Sequence, residues 1–311
     1  MTCGIAVALY NGTRFLEKQL DTIRLQTHTP DTVVLCDDGS KDHTAQLVRD
    51  YIQKYNLSDT WKLYQNQENL GYIRNFYKAM QLCDTDLIFL SDQDDIWKTD
   101  KIQQMHDILT DKDNILMLTC KYGIIDADGN QQYSIVEPDA KEDGSLTSVS
   151  VEDIMRAFRW PGMIMCLRRE FFISLLPAIE NCNAAHDVVL AVSAADRNGF
   201  YDYNYVGAYH RRHDNNTAKE EHRVSKLLNR QRKLSDIAAA KHTWANLLDG
   251  QLPLQEKNTT LIRKRLDLMI RREEIIRNRQ LKSLIGLYAQ NPKLLRVKSF
   301  LCDVWLVCFA K

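Results

Sequence analysis

Leu87-Ile88-Phe89-Leu90-Ser91-Asp92-Gln93-Asp94-Asp95-Ile96-Trp97 is an apolar run of strand length that ends in three carboxylates within four positions. Like charges this close repel unless something offsets them, and a divalent cation is the usual partner of such a cluster. In an open parallel sheet, ligands collect beyond the carboxyl ends of the strands. The segment therefore predicts a buried strand that presents a cation and its ligand at one sheet edge.

The residues on either side repeat the same grammar. Ile5-Ala6-Val7-Ala8-Leu9 is continuously apolar, as in a strand buried on both faces, and Asn11-Gly12 breaks it. Phe15, Leu16, Leu20, Ile23 and Leu25 follow at helical spacing. Thr32 to Cys36 is a second strand, ending in Asp37-Asp38-Gly39-Ser40. A helix over Thr44–Tyr55, a strand over Trp61–Tyr64 and a helix over Asn75–Leu82 lead back to Leu87. Strands alternating with helices predict an α/β fold with a parallel, doubly wound sheet. Beyond residue 114 the pattern loosens. Ile115–Cys120 and Met163–Leu167 suggest strands, Asp126–Asn130 a turn, 137–150 a polar loop and Val188–Ala195 a helix. Past Asn215 come long, basic, helix-favouring stretches punctuated by Pro253 and Pro292. The expected organisation is a catalytic domain over 1–215, with a donor half at 1–110 and an acceptor half at 111–215. A basic helical region over 216–311 follows.

The 311 residues carry no net charge, but the average hides a division. Residues 1–210 hold 19 Lys/Arg against 31 Asp/Glu, whereas residues 211–311 hold 22 against 10. A basic end of that strength meets phosphates or an anionic surface, or is simply a solvated helical face. No nucleic-acid partner is expected, because no aromatic platform accompanies the basic residues. The eight cysteines include no C-x-x-C pair, and most read as small core residues. Met1-Thr2-Cys3 runs straight into a strand with no basic leader, and no apolar run reaches the roughly 18 residues of a bilayer span. The expected localisation is cytoplasmic, with peripheral placement on the inner face of the cell membrane as a variant.

Several constellations carry chemistry, each beside a plainer reading. Tyr10-Asn11 and Asp37-Asp38-Gly39-Ser40 end strands at the same edge as Asp92 and Asp94. There a ring can cover a nucleobase and a carboxylate can accept its imide N–H; equally, Asp42 or Ser40 can cap a helix. Asp95 suits the N-cap of a helix over Trp97–Leu109. Oxygen ligands of this kind suit Mg2+ or Mn2+. His186-Asp187 opens an apolar helix, where the carboxylate is either a cap or a general base. Tyr209-His210-Arg211-Arg212-His213 offers imidazoles and guanidiniums for a metal shell or a diphosphate, and Arg74-Asn75 a further cation and amide.

Taken in order over residues 4–215, these motifs resemble the family 2 glycosyltransferases of GT-A fold, which are inverting, metal-dependent enzymes using nucleotide-sugar donors. The likeness rests on Ala8-Leu9-Tyr10-Asn11-Gly12, Gln26-Thr27, Asp37-Asp38-Gly39-Ser40-Lys41-Asp42 and Asn69-Leu70-Gly71 with Arg74-Asn75-Phe76. It continues through Ser91–Trp97, His186-Asp187 and Tyr209…Arg212-His213…Asn216. The Asp-Gln-Asp-Asp-Ile-Trp form is similar to bacterial rhamnosyltransferase-type members that build surface polysaccharides. The resemblance implies that Ala8, Tyr10, Asn11 and Asp38 line the donor base, that Asp92 meets the ribose, and that Arg74 and Arg212 face the diphosphate. Asp94 and His213 would ligate Mn2+ or Mg2+, and Asp187 would deprotonate the acceptor. The usual Tyr-Arg-x-His ending reads Tyr209-His210-Arg211-Arg212-His213 here, which leaves Arg211 and Arg212 as competing diphosphate ligands.

The implied partners are a dTDP- or UDP-linked sugar and a glycan or lipid-diphosphate-linked acceptor. Residues 137–166 are expected to shape the acceptor pocket, with Trp160 and Gly162 foremost, although Trp160 can equally plug the core. The apolar stretch Lys298–Phe309, preceded by Lys293 and Arg296, is too short to span a bilayer. It suits a membrane interface, a homodimer contact or packing on the rest of the chain. The competing functional readings are a nucleotidyltransferase, which lacks its Gly-rich phosphate loop here, and a non-catalytic nucleotide-sugar or membrane-binding module.

Overall fold

A computed structural model describes residues 1–133, 142–180, 182–214, 229–292, 294–295 and 297–310. Asn216, Lys293, Arg296 and the 137–141 part of the acceptor loop lie outside the described residues. The chain divides into two units. The first comprises Met1–Val149, Trp160–Leu176 and Arg197–Asn215; the second comprises Ser150–Arg159, Pro177–Asp196 and Asn216–Lys311. Two stretches that the sequence places in the catalytic domain, 150–159 and 177–196, thus group with the C-terminal helices.

The first unit is built on ten described strands: β1 Cys3–Leu9, β2 Thr32–Asp37, β3 Trp61–Gln65, β4 Leu87–Ser91, β5 Ile96–Trp97, β6 Met117–Ile125, β7 Gln131–Tyr133, β8 Leu146–Ser148, β9 Met165–Arg168 and β10 Phe200–Arg211. Their order is β3-β2-β1-β4-β9-β6-β10-β5, with β7 on β6 and β8 on β10. The apolar runs of β1, β2 and β4 become parallel neighbours, as their buried faces require. Helices α1 Leu16–Arg24, α2 Thr44–Lys54 and α3 Tyr72–Leu82 connect these strands, and α4 Lys101–Asp111 follows β5. Helix α3 starts three residues earlier than the Asn75–Leu82 expected from the pattern.

The sheet is mixed rather than wholly parallel. β9 runs antiparallel to both β4 and β6, and β5 antiparallel to β10. The 12-residue β10 carries no strand expectation from sequence, and neither does β5. The helix that the pattern predicts over Trp97–Leu109 begins only at Lys101, because Ile96 and Trp97 pair with Tyr209 and Ala208.

The second unit is helical: α5 Val151–Arg156, the end of α6 (Arg169–Ile179), α7 His186–Asp196, α8 Arg230–Asp249, α9 Glu256–Arg277, α10 Leu281–Gln290 and α11 Val297–Cys308. Nearly every position of α7 is buried, as expected of a helix apolar all round. Its C-terminal Asp196 accepts from Gln255 N at 2.9 Å and Asn258 Nδ2 at 2.7 Å, placing a carboxylate at the N-terminus of α9 where the helix dipole favours it. Among the described residues no helix is long and apolar enough to cross a membrane. All eight cysteines are free; six are buried, Cys302 is half-buried and Cys308 is exposed.

Candidate active site

The carboxylate cluster and the basic ending of β10 meet because of strand register. Antiparallel pairing of Ile96 with Tyr209 sets residues just before β5 opposite residues just after the pair on β10. Asp95, completely buried, accepts from Arg211 N at 2.9 Å and contacts His210 Nδ1 at 3.0 Å. It caps no helix; it anchors β10. One residue earlier, Asp94 Oδ2 lies 2.8 Å from His213 Nε2. Burial, and then the neighbouring Asp95 charge, push the Asp94 pKa above the ordinary carboxylate value, with His213 opposing them. Burial also disfavours the His210 cation, but the Asp95, Asp92 and Asp94 carboxylates outweigh it and hold that pKa up at about 9.

Arg211 and Arg212 have different tasks. The Arg211 guanidinium is buried beneath Phe15 and donates to the carbonyls of Asp94, Asp126 and Ala127 at 2.8, 3.2 and 3.2 Å. It is thereby committed to holding the acidic loop. Arg212 is only partly buried and its backbone N–H donates to Ile125 O, which favours Arg212 of the two for a diphosphate.

At the end of β1, Tyr10 is 46% exposed, so its ring is available to cover a flat ligand. Gln93 clamps its backbone reciprocally: Tyr10 N donates to Oε1 at 2.9 Å and Nε2 donates to Tyr10 O at 3.0 Å. The sequence alone assigns Gln93 no role; its place inside the carboxylate motif is the available signal. A Cβ on Gly12 would come 2.2 Å from Gln93 Oε1, so the clamp needs glycine there. Asn11, at φ 48°, accepts from Lys41 N at 2.8 Å and donates its own N–H to Ser40 Oγ at 2.9 Å. These bonds lock the first turn onto the Asp37–Ser40 turn. Ala8 pairs with Cys36 just before both turns.

Asp38 is 2% exposed, and its carboxylate accepts from Asn66 Nδ2, Leu70 N and Gly71 N at 2.8, 2.8 and 2.9 Å. Its first task is therefore to shape the turn before α3. Asn75 also faces inward, donating to Cys36 O at 2.9 Å, and does not face a phosphate as expected; Arg74 beside it is exposed. Asp92 is partly buried directly after β4. Trp160, which the sequence left between sugar platform and core plug, is 1% exposed and packs edge-on to Phe200 at 5.2 Å. Stacking on a sugar would require the ring to leave that packing. Gly162 is buried in a 3₁₀ turn, Gly162–Ile164. The Met163 carbonyl of that turn accepts from the buried Lys101 Nζ at 2.7 Å, and the same ammonium lies 3.3 Å above the Trp97 ring.

The second unit carries Asp187 in the first turn of α7, where Oδ1 accepts from Val188 N at 2.8 Å. Burial raises its pKa to about 6, and that backbone bond only partly counters it. Burial likewise lowers the adjacent His186 to about 3 and keeps that ring neutral.

Among the described residues no three His, Cys, Asp or Glu side chains converge as a complete metal cage. The donor set nevertheless fits a cation held partly by substrate. Asp94 and His213 are adjacent, and among the described residues Asp95 Oδ2 is buried without a hydrogen-bond partner, while His210 and Arg211 N occupy the other oxygen.

Known proteins are similar to this chain in sequence and in fold. An uncharacterized glycosyltransferase of Nostoc sp. is 24% identical over 179 residues, covering 57% of this chain and 54% of that protein. The dTDP-rhamnosyl transferase RfbG of Shigella flexneri is 32% identical over 107 residues, 33% of this chain and 36% of that protein. The matched stretch thus spans between about a third and about half of these relatives. In fold, the chain is similar to S. aureus TarS 1-349 in complex with UDP-GlcNAc, with TM-score 0.60, 14% identity and coverage of 98% of this chain and 82% of that one. GalNAc-T7 with UDP, GalNAc and Mn2+ follows at TM-score 0.54 and 14% identity, covering 86% of this chain and 54% of that one. The model of glycosyl transferase family 2 matches residues 5–169, more than half of the chain, covering most of β1 and every strand from β2 to β9. This chain belongs to glycosyl transferase family 2.

Proposed function

We propose that this protein is an inverting glycosyltransferase that moves a sugar from a nucleotide-diphosphate donor to a hydroxyl of a glycan or lipid-linked glycan in bacterial surface-polysaccharide synthesis. The observation that carries the proposal is the Asp94–His213 pair at 2.8 Å, at the strand edge that also presents Tyr10, within a chain of this family. Similarity to a dTDP-rhamnosyl transferase supports rhamnose as the sugar, and similarity to a UDP-GlcNAc complex supports a pyrimidine nucleotide.

In this reading Tyr10 covers the base, with Ala8 and Asn11 beside it. Asp38 has about one of its roughly four lone-pair sites left for the imide N–H, after the three bonds it already accepts. Asp92 meets the ribose, and Arg74 and Arg212 face the diphosphate. Asp94 and His213 would hold Mn2+ or Mg2+, whose contribution when bound is to neutralise charge on the leaving diphosphate. Asp187, ionised at neutral pH by its pKa of about 6, takes the acceptor proton. The acceptor oxygen bonds to the anomeric carbon as the bond to the diphosphate oxygen breaks. The electron pair leaves with the nucleoside diphosphate, and the carbon inverts. Gly162 borders the acceptor, and Trp160 supports that border from the core.

A donor-hydrolysis screen of UDP- and dTDP-linked sugars with Mn2+ or Mg2+ tests the reading. Release of nucleoside diphosphate from at least one donor is expected, and Asp187→Asn should preserve nucleotide binding while lowering transfer at least a hundredfold. No turnover of any donor, with pyrophosphate released from a nucleoside triphosphate instead, would replace this reading by nucleotidyl transfer.

A further inference from the structure

Helix α11 is turned inside out relative to an ordinary surface helix. Its one charged residue with a described side chain, Asp303, is completely buried. It accepts from Arg272 Nε at 2.5 Å, Arg272 Nη2 at 2.8 Å and Tyr288 Oη at 2.7 Å. A buried carboxylate cannot leave such partners without a large penalty, so these bonds fix the rotation of the helix about its axis. Leu306 and Val307 share the buried side. What then faces outward is Val297, Leu301, Trp305 and Phe309, exposed by 75, 64, 44 and 65%. A spacing of four residues aligns them along one face over about 18 Å of helix. Leu281 and Ile285, also one turn apart, are exposed on neighbouring α10.

A continuous apolar stripe of this kind marks an interaction surface. Charge identifies what covers it. From residue 275 to 311 the chain contains seven Lys/Arg and a single acidic residue, the buried Asp303. Arg279 stands at the C-terminal end of α11, donating to Ala310 O at 2.6 Å, and Lys282 is exposed between Leu281 and Ile285. The segment therefore offers apolar side chains and cations with no outward carboxylate. A two-fold contact with a second copy would oppose cation to cation, because such an interface sets the same patch against itself. An anionic bilayer supplies both an apolar interior and compensating headgroups. We propose that α11, with the exposed edge of α10, docks this protein onto anionic lipid surfaces. The inference is independent of the transferase reading, since it needs no donor and no turnover.

Of the five tryptophans, four are at most 6% exposed and only Trp305 is accessible, so intrinsic fluorescence reports on this helix. The full chain is to be mixed with phosphatidylcholine vesicles, with and without phosphatidylglycerol, and followed by flotation and tryptophan emission. Binding and a blue shift are expected only with phosphatidylglycerol present, weakening as salt rises. Leu301→Gln and Phe309→Gln should each reduce partitioning about tenfold with unchanged circular dichroism, because both positions are exposed and each replacement removes one membrane-buried apolar side chain. Trp305→Phe should abolish the blue shift while retaining flotation. The proposal is overturned if the wild-type chain does not float with anionic vesicles, or if Leu301→Gln and Phe309→Gln float equally well. A concentration-dependent dimer that Leu301→Gln dissolves, without vesicle binding, would assign the stripe to a second copy instead.

Discussion

Asp187 joins stability and chemistry in one carboxyl. Its pKa rises from 3.8 to about 6 on folding, so between those values the folded chain binds more protons than the unfolded one. Unfolding free energy must therefore fall as pH climbs through that window, by about 3 kcal/mol from this group, and then level off. Asp187→Asn removes the effect, so denaturant midpoints of variant and wild type should diverge in the variant's favour from pH 4 to pH 6. Transfer activity should follow the opposite trend, rising to a plateau above an apparent pKa of about 6 as the base ionises. An acid limb well below pH 5 would reject this assignment of the base. At the other end of the site, Gly12→Ala would drive a methyl group to 2.2 Å from Gln93 Oε1. The Gln93 amide is the far end of a flexible side chain and can swing away at little cost to the fold, so the Tyr10 clamp is what gives way. Nucleotide affinity measured by calorimetry should drop about tenfold, with little loss of fold.

Two short elements owe their position to buried carboxylates. β5 is only two residues long, and its pairing with β10 is reinforced by Asp95 reaching Arg211 N and His210. Removing one member of a buried charged network costs about 3–5 kcal/mol, because the partner remains desolvated. Asp95→Ala should lower stability by that order in urea unfolding. It should also weaken Mn2+-dependent nucleotide binding, since His213 follows β10 and loses its register with Asp94. Asp303 plays the corresponding part for α11. Asp303→Asn should destabilise the second unit by about 3 kcal/mol in the same measurement, because Arg272 stays buried without a full counter-charge.

Across the whole molecule, the proposed donor-binding residues all belong to the first unit, whereas Asp187 and the apolar face of α11 belong to the second. Nucleoside diphosphate with Mn2+ should therefore protect first-unit amides from hydrogen exchange selectively. At a hundred times Kd the stabilisation is about 2.7 kcal/mol. His213→Ala should remove the Mn2+-dependent part of that protection. Uniform protection of both units would show that the nucleotide contacts are more widely shared than the donor residues named here.

The strand–helix alternation from residue 3 to 91 was legible in the sequence, as was the delivery of Tyr10, Asp38 and Asp94 to the ends of strands. Such features depend on residues two to four apart, whose burial periodicity is written locally. The family resemblance, resting on ordered motifs, was legible for the same reason. What the tertiary structure alone decided are matters of distant pairing. β10 aligns with β5 across 111 to 113 positions, and that register, not any local pattern, brings His213 to Asp94, commits Arg211 to backbone carbonyls and turns Asp95 from a helix cap into an anchor. Likewise, the composition of Lys298–Phe309 showed an apolar helix but not its outward side. A buried Asp303 held by Arg272 and Tyr288 settles that, because the cost of stranding a charge exceeds the cost of leaving Leu301 and Trp305 in water.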